Sequence, residues 1–221
     1  MNINYIKKCF FISLLLFFGI QVYSQNNQIT KQHSGRRHKG FFLSYSPGIN
    51  TTNVKATDNY SSSTFKGLGL GNDFKIGGTI KENLILHATL LGHGVYEPKI
   101  YDANSGQNGT RAKDIDFSEL LIGAGITFYT TNNFLLSTSV GFGGFSLTDY
   151  STDEDSSSDK GFGFQLKAGK EWWVSRTLGL GLAVYYHYTN VLNQAGSVDE
   201  ERLIGNNLGI VLSTTLNGKR Y

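Results

Sequence analysis

The sequence predicts an all-β protein, an eight-stranded antiparallel transmembrane β-barrel. Three observations lead there. Eight segments alternate apolar and polar residues, as a strand must when one face meets lipid and the other a small lumen. The connections between them alternate long and short. An export signal stands ahead of the first segment.

Residues 1–24 carry Lys7 and Lys8, an apolar run from Cys9 to Ile20, and Val22 and Ser24 three and one positions before Gln25. About a dozen apolar residues are too few for a spanning helix, which needs about 20, so the segment reads as a cleaved signal peptide. Cys9 lies ahead of the apolar core and lacks preceding small residues, which argues against a lipid anchor. Cleavage removes the only cysteine, excluding disulfides and thiolate metal sites from the mature chain. It also takes two of the 20 Lys and Arg and none of the 17 Asp and Glu, leaving a net charge of +1. That balance gives no reason to expect a nucleic-acid partner. The remaining chain is sufficient for one domain, and 27 Gly against 2 Pro suits many paired strands.

Residues 25–39 are polar, basic and aperiodic, and are expected to form a flexible periplasmic lead-in. The cluster Lys31, Arg36, Arg37 and Lys39 reads as a solvated tail. The barrel then occupies 40–221, with strands expected at 40–49, 65–80, 84–97, 114–129, 133–148, 160–174, 177–190 and 204–216. Most exceed the about 9 to 11 residues that a tilted strand needs to cross the hydrocarbon layer. Polar connections at 52–63, 99–113, 149–159 and 192–203 are long, whereas those at 81–83, 130–132 and 175–176 are tight. In outer-membrane barrels the short turns are periplasmic and the long loops external, so both chain ends are expected in the periplasm.

The faces follow residue by residue. In the seventh segment Leu178, Leu180, Leu182, Val184, Tyr186 and Tyr188 are expected to meet lipid, and Gly179, Gly181, Ala183, Tyr185 and His187 the lumen. The third segment sets Leu84, Leu86, Ala88, Leu90 and Tyr96 against His87, Thr89 and His93. The sixth sets Phe162, Phe164, Leu166, Ala168 and Trp172 against Gln165, Lys167, Glu171 and Trp173. Phe74, Tyr96, Phe128, Phe134, Trp172, Tyr186 and Tyr188 supply an aromatic girdle for the headgroup levels.

The last segment alternates Leu208, Ile210, Leu212 and Leu216 with smaller residues, and the chain ends on Tyr221 after Asn217, Gly218, Lys219 and Arg220. This is similar to the C-terminal strand signal read by the outer-membrane assembly machinery. With the eight-segment layout and the Tyr23-Ser24-Gln25 junction, residues 40–221 resemble the small OmpA- and OmpX-like barrels in the form common in Bacteroidota. The resemblance implies outer-membrane lipid and the assembly machinery as partners, and a monomer.

Inward charges Asp73, Lys75, Glu119, Lys167 and Glu171 are expected to pair as a lumen network, because side chains fill an eight-stranded lumen. His87 and His93 lie about 20 Å apart along one strand, too far to share an ion, so no metal site is expected. The external loop residues Asp149, Asp153, Glu154, Asp155 and Asp159 lack the spacing and central Gly of a helix-loop-helix calcium site and read as solvated. Gly67, Gly69, Gly71, Gly179 and Gly181 complete no nucleotide-binding fingerprint; they leave lumen space or relieve curvature. No cofactor is implied.

The function expected is structural support of the envelope or recognition of an extracellular surface ligand by four external loops. Two alternatives stand beside it. One is a narrow channel through a lumen judged too polar-packed for bulk passage. The other is a lipid-modifying enzyme, for which Ser118, Asp116 and His187 supply residue types without a motif.

Overall fold

The computed structural model describes residues 38–102, 109–194 and 200–218. The expected signal peptide 1–24, most of the lead-in and Tyr221 lie outside them. Among the described residues no helix is long and apolar enough to cross a membrane. Each period-two segment forms a strand of one antiparallel sheet: β1 (Phe41–Thr57), β2 (Ser62–Lys81), β3 (Leu84–Tyr96), β6 (Ile115–Tyr129), β7 (Phe134–Asp149), β9 (Gly161–Trp173), β10 (Leu178–Asn193) and β11 (Glu201–Asn217). Three short strands, β4 (Lys99–Asp102), β5 (Thr110–Arg111) and β8 (Glu154–Ser157), belong to the connections.

The sheet closes because β1 pairs on one side with β2, as in Tyr45↔Phe74, and on the other with β11, as in Ser44↔Thr215. Around the ring the order is β1, β11, β10, β9, β7, β6, β3, β2. Closure leaves no unpaired strand edge in the wall, the condition for crossing hydrocarbon with strands. Outward residues such as Leu70, Leu90, Ile122, Val140, Leu166 and Leu212 are all solvent-accessible and form an apolar belt. Buried residues point inward, which is the arrangement of a barrel whose solvent is lipid. The girdle residues Phe74, Tyr96, Phe128, Phe134 and Trp172 are exposed on the outer wall as expected.

The tight connections share one end. Asn83 and Asn133 occupy their turns with φ of 62° and 59°, the left-handed region that Asn tolerates better than most residues. The opposite end differs from expectation. Residues 52–63 are expected to be a long loop, yet β1 and β2 run on together to Thr57 and Ser62. Only 58–61 turns, fixed by Asp58, whose carboxylate accepts from the Tyr60 and Ser61 amides at 2.7 and 2.6 Å.

Polarity explains the error. Past Asn50 the faces exchange character: Val54 and Ala56 point inward and are buried, while Asn53 and Lys55 point outward. The strands leave the apolar belt there and continue as a collar with a water-facing exterior. A similar extension carries β10 to Asn193 and starts β11 at Glu201. The second connection folds its β4–β5 hairpin onto β2, and the third lays β8 against the end of β7. Residues 103–108 and 195–199 of these connections lie outside the described residues.

The lead-in also ends sooner than expected. His38 is buried, stacked on Tyr129 at 3.5 Å between ring centroids and 4.8 Å from the Trp173 ring. Its Nδ1 lies 3.2 Å from Asn217 Oδ1, and its amide donates to Asn83 Oδ1 at 3.1 Å. Lys39 pairs with Glu82 at 2.8 Å on the surface. The residues before β1 therefore stopper the turn end of the barrel.

Burial holds the His38 imidazole at about 4, below its ordinary 6.5. A freed His38 protonates near 6.5, so docking is complete above that pH and weakens as pH falls toward 4, by on the order of 3 kcal/mol across the window. In a Trp172→Phe variant, where Trp173 is the sole indole, fluorescence should change over this window. Replacing His38 by Gln as well should flatten the response.

Candidate functional site

Among the described residues the buried charged and histidine side chains collect in the lumen. Along β3 the inward residues read Val95, His93, Leu91, Thr89, His87 and Ile85, all buried. This order repeats through the barrel as layers. At the hairpin end Val54, Ala56, Val95, Phe117, Phe145, Val191 and Leu203 form an apolar cluster, with Phe65 and Leu147 against it. The rings of Phe65 and Phe117 stack at 5.2 Å, and Phe117 and Phe145 meet at 5.7 Å. A second apolar layer contains Leu91, Leu121, Ala183, Tyr185 and Val211, and a third Phe42, Ile85, Tyr129 and Leu135. The lumen is filled by side chains, but it is less polar than its sequence suggests.

The five inward charges do not form one network. Asp73 on β2 and Lys167 on β9 reach across the lumen from strands four places apart in the ring. Lys167 Nζ donates to Asp73 Oδ2 at 3.0 Å and to Ser46 Oγ at 2.8 Å. Lys75 Nζ stands 3.7 Å from the same oxygen and donates to Gln165 Oε1 at 2.7 Å, Ser137 Oγ at 3.1 Å and Ser139 Oγ at 3.2 Å. Gln165 completes the layer by donating to Asp73 Oδ2 at 3.3 Å. Two ammonium groups thus share one carboxylate, each held by additional acceptors, as buried charge requires.

Glu171 stands apart, nearer the turn end. Its Oε1 accepts from Thr215 Oγ1 at 2.6 Å and from the Tyr129 hydroxyl at 2.9 Å, and among the described residues no cation pairs with it. Glu119 is also separate from the lysines. Its Oε2 accepts from Asn207 Nδ2 at 2.7 Å and lies 3.0 Å from His93 Nε2, while Oε1 lies 3.4 Å from His187 Nδ1. The expected single network is therefore three sites at different depths. Strand stagger decides which inward residues share a depth, and a single strand's pattern does not contain that information.

His87 behaves as a satisfied lumen residue, with Nδ1 3.0 Å from Thr89 Oγ1 and Nε2 3.0 Å from Thr127 Oγ1. His93 does not meet His87, as their spacing requires, but its ring lies 5.2 Å from that of His187, which comes from the opposite wall. Among the described residues, His93, Glu119 and His187 form the single group of three or more metal-ligating side chains, with ligand atoms all within 4.8 Å.

The acidic connection makes no comparable cluster. Asp149 Oδ1 accepts from the Ser151 amide and hydroxyl at 2.8 and 2.6 Å, which hold its carboxyl below the ordinary range. Asp155 accepts from Thr148 Oγ1 at 2.6 Å, and Asp159 from the Gln194 amide at 2.9 Å. Asp149 thus serves its own turn, Asp155 ties β8 to β7 and Asp159 ties the third connection to the end of β10, while Asp153 and Glu154 lie in the exposed tip. The residue types considered for hydrolysis are not assembled either. Asp116 and Ser118 face outward on β6, and His187 is buried in the lumen.

Comparison with known proteins adds to the fold and not to the site. No protein-family model matches the chain, and no curated protein matches it. Among solved structures, Neisserial surface protein A matches with a TM-score of 0.50 and 16% identity, covering 80% of this chain and 97% of that one. The outer membrane protein OprG from Pseudomonas aeruginosa matches with a TM-score of 0.48 and 11% identity, over 84% of this chain and 100% of its own. Ail, the attachment invasion locus protein of Yersinia pestis, matches at 0.40 and 14%, over 79% and 99%. The fold is that of the small eight-stranded outer-membrane β-barrels.

Proposed function

We propose that this chain is an exported, monomeric, non-enzymatic outer-membrane barrel that passes no bulk solute and displays its external connections for recognition at the cell surface. The observation that carries this reading is the exchange of polarity along β1. Above the belt the wall becomes a collar with Val54 and Ala56 inside and Asn53 and Lys55 outside. Buried aromatics fill that collar and close the lumen beneath the connections. A stiff stalk bearing polar external connections suits binding, because specificity commonly sits in loops on a stiff scaffold. The apolar belt supports a membrane location, and the export signal supports the outer membrane.

Planar bilayer recording of the refolded mature chain tests the seal. No steady conductance is expected, and a stable open level would overturn it. Recognition is tested by trimming 103–108, 150–158 and 194–200 to Gly-Ser turns in cells carrying the barrel. Adhesion of those cells to extracellular matrix or to other cells should fall while the barrel still inserts. Unchanged adhesion would leave structural support of the envelope as the role.

A further inference from the structure

We propose that His93, Glu119 and His187 form a buried site for one zinc ion in the lumen. The donors come from three strands, β3, β6 and β10, with β3 and β10 on opposite sides of the ring. Bound zinc would therefore fasten one wall of the barrel to the other.

Four observations lead to this assignment. First, Glu119 Oε1 and His187 Nδ1 face each other at 3.4 Å, yet both are buried without a hydrogen-bond partner, as is His93 Nδ1. While ionised, a desolvated carboxylate in this position needs positive charge beside it. Second, two imidazoles and a carboxylate are a zinc donor set that leaves a fourth position open; calcium and magnesium favour oxygen donors. Third, the rear of the site is braced. Thr189 Oγ1 lies 3.1 Å from His187 Nε2, which turns Nδ1 toward Glu119, and Asn207 Nδ2 holds Glu119 Oε2 at 2.7 Å. Such outer contacts orient metal ligands and fix the imidazole tautomer. Fourth, Gly205 keeps the space beside the carboxylate open, since a Cβ there would stand 3.0 and 3.1 Å from its two oxygens.

The ligand atoms lie within 4.8 Å of one another, and tetrahedral zinc with bonds near 2.0–2.1 Å sets donors about 3.4 Å apart. Drawing them in requires side-chain rotation and leaves the strand register unchanged. The competing occupant is a proton, which would make an imidazolium–carboxylate pair without any metal.

The test uses the untagged mature chain refolded into vesicles with and without Zn²⁺, and with Co²⁺ as a visible probe. Expected are one zinc retained per barrel after dialysis, cobalt absorption of the tetrahedral type, and a higher urea midpoint with zinc present. Thr189→Val, which spares all three ligands, should weaken zinc about 10- to 100-fold, as loss of an outer contact does. His187→Gln should abolish retention and His87→Gln should leave it intact, each in barrels whose gel mobility shows that they are folded. Overturning the site would take folded wild-type barrel that retains no zinc and shows an imidazolium nitrogen signal beside Glu119. Equal zinc retention in the wild type, Thr189→Val and His187→Gln would overturn it too.

Discussion

Replacing Lys167 by Met lowers the urea midpoint for unfolding from lipid far more than Leu166→Val, although the two residues are neighbours on β9. Lys167 supplies the shorter of the two ammonium contacts to Asp73, at 3.0 Å against 3.7 Å for Lys75. Both lysines and the aspartate are almost wholly buried. Removing Lys167 takes away the closer counter-charge of a desolvated carboxylate and leaves Asp73 with Lys75 at 3.7 Å, a cost approaching the about 3–5 kcal/mol of breaking a buried pair. Lys75 would have to turn toward Asp73 and give up contacts to Ser137, Ser139 or Gln165 to replace what is lost. Leu166 is 47% exposed on the outer wall, where lipid fills the space a methylene vacates, so Leu166→Val should cost less than about 0.8 kcal/mol. Equal midpoints would show that water or lipid headgroups already solvate Asp73. The double change Asp73→Asn with Lys167→Met should cost more than Lys167→Met alone, because it leaves the buried Lys75 ammonium without a counter-charge.

The strand faces were legible because lipid and lumen impose opposite demands on alternate residues. Leu84, Leu86, Ala88 and Leu90 face outward with His87, Thr89 and His93 inward, as the alternation requires. The tight turns were legible for the same local reason. The upper part of β1 was not, because Val54 and Ala56 invert the pattern where the wall leaves the belt; read with one rule, an inverted strand looks like a polar loop. The lumen partners were still less accessible. His93 and His187 come from opposite walls, and a distance measured along one strand compares His93 with the wrong histidine. The burial of His38 gave no periodic signal, since one residue ahead of a strand has no period. The missed signal lay in pairs of inward polar residues at compatible depths, which becomes readable only after the strand register is known.

Gly209→Val should be the most damaging single change in the C-terminal strand, and Tyr185→Ala should suppress it. Tyr185 points inward from β10 and lies across its ladder partner Gly209 on β11, toward Gly71 on β2. A Cβ at Gly209 would overlap the Tyr185 ring, and one at Gly71 would come within 3.0 Å of the hydroxyl. Glycine is thus a place for the ring to rest. Overpacking of this kind typically costs about 1–3 kcal/mol, and more where the ring has no other place to go. Tyr185 is buried against Leu91, Leu121, Ala183 and Val211, so displacement would force the second apolar layer apart. Tyr185→Ala alone leaves a cavity and should itself cost about 3–5 kcal/mol. The decisive comparison is the double variant. If ring and glycine share one volume, Gly209→Val added to Tyr185→Ala should cost little or restore stability, a strongly non-additive cycle. If Gly209 instead serves strand curvature, its replacement should cost the same with or without the ring. The folded fraction after refolding into vesicles, read from gel mobility, separates the two outcomes and determines whether the small residues of this lumen are spacers for particular side chains or features of the backbone.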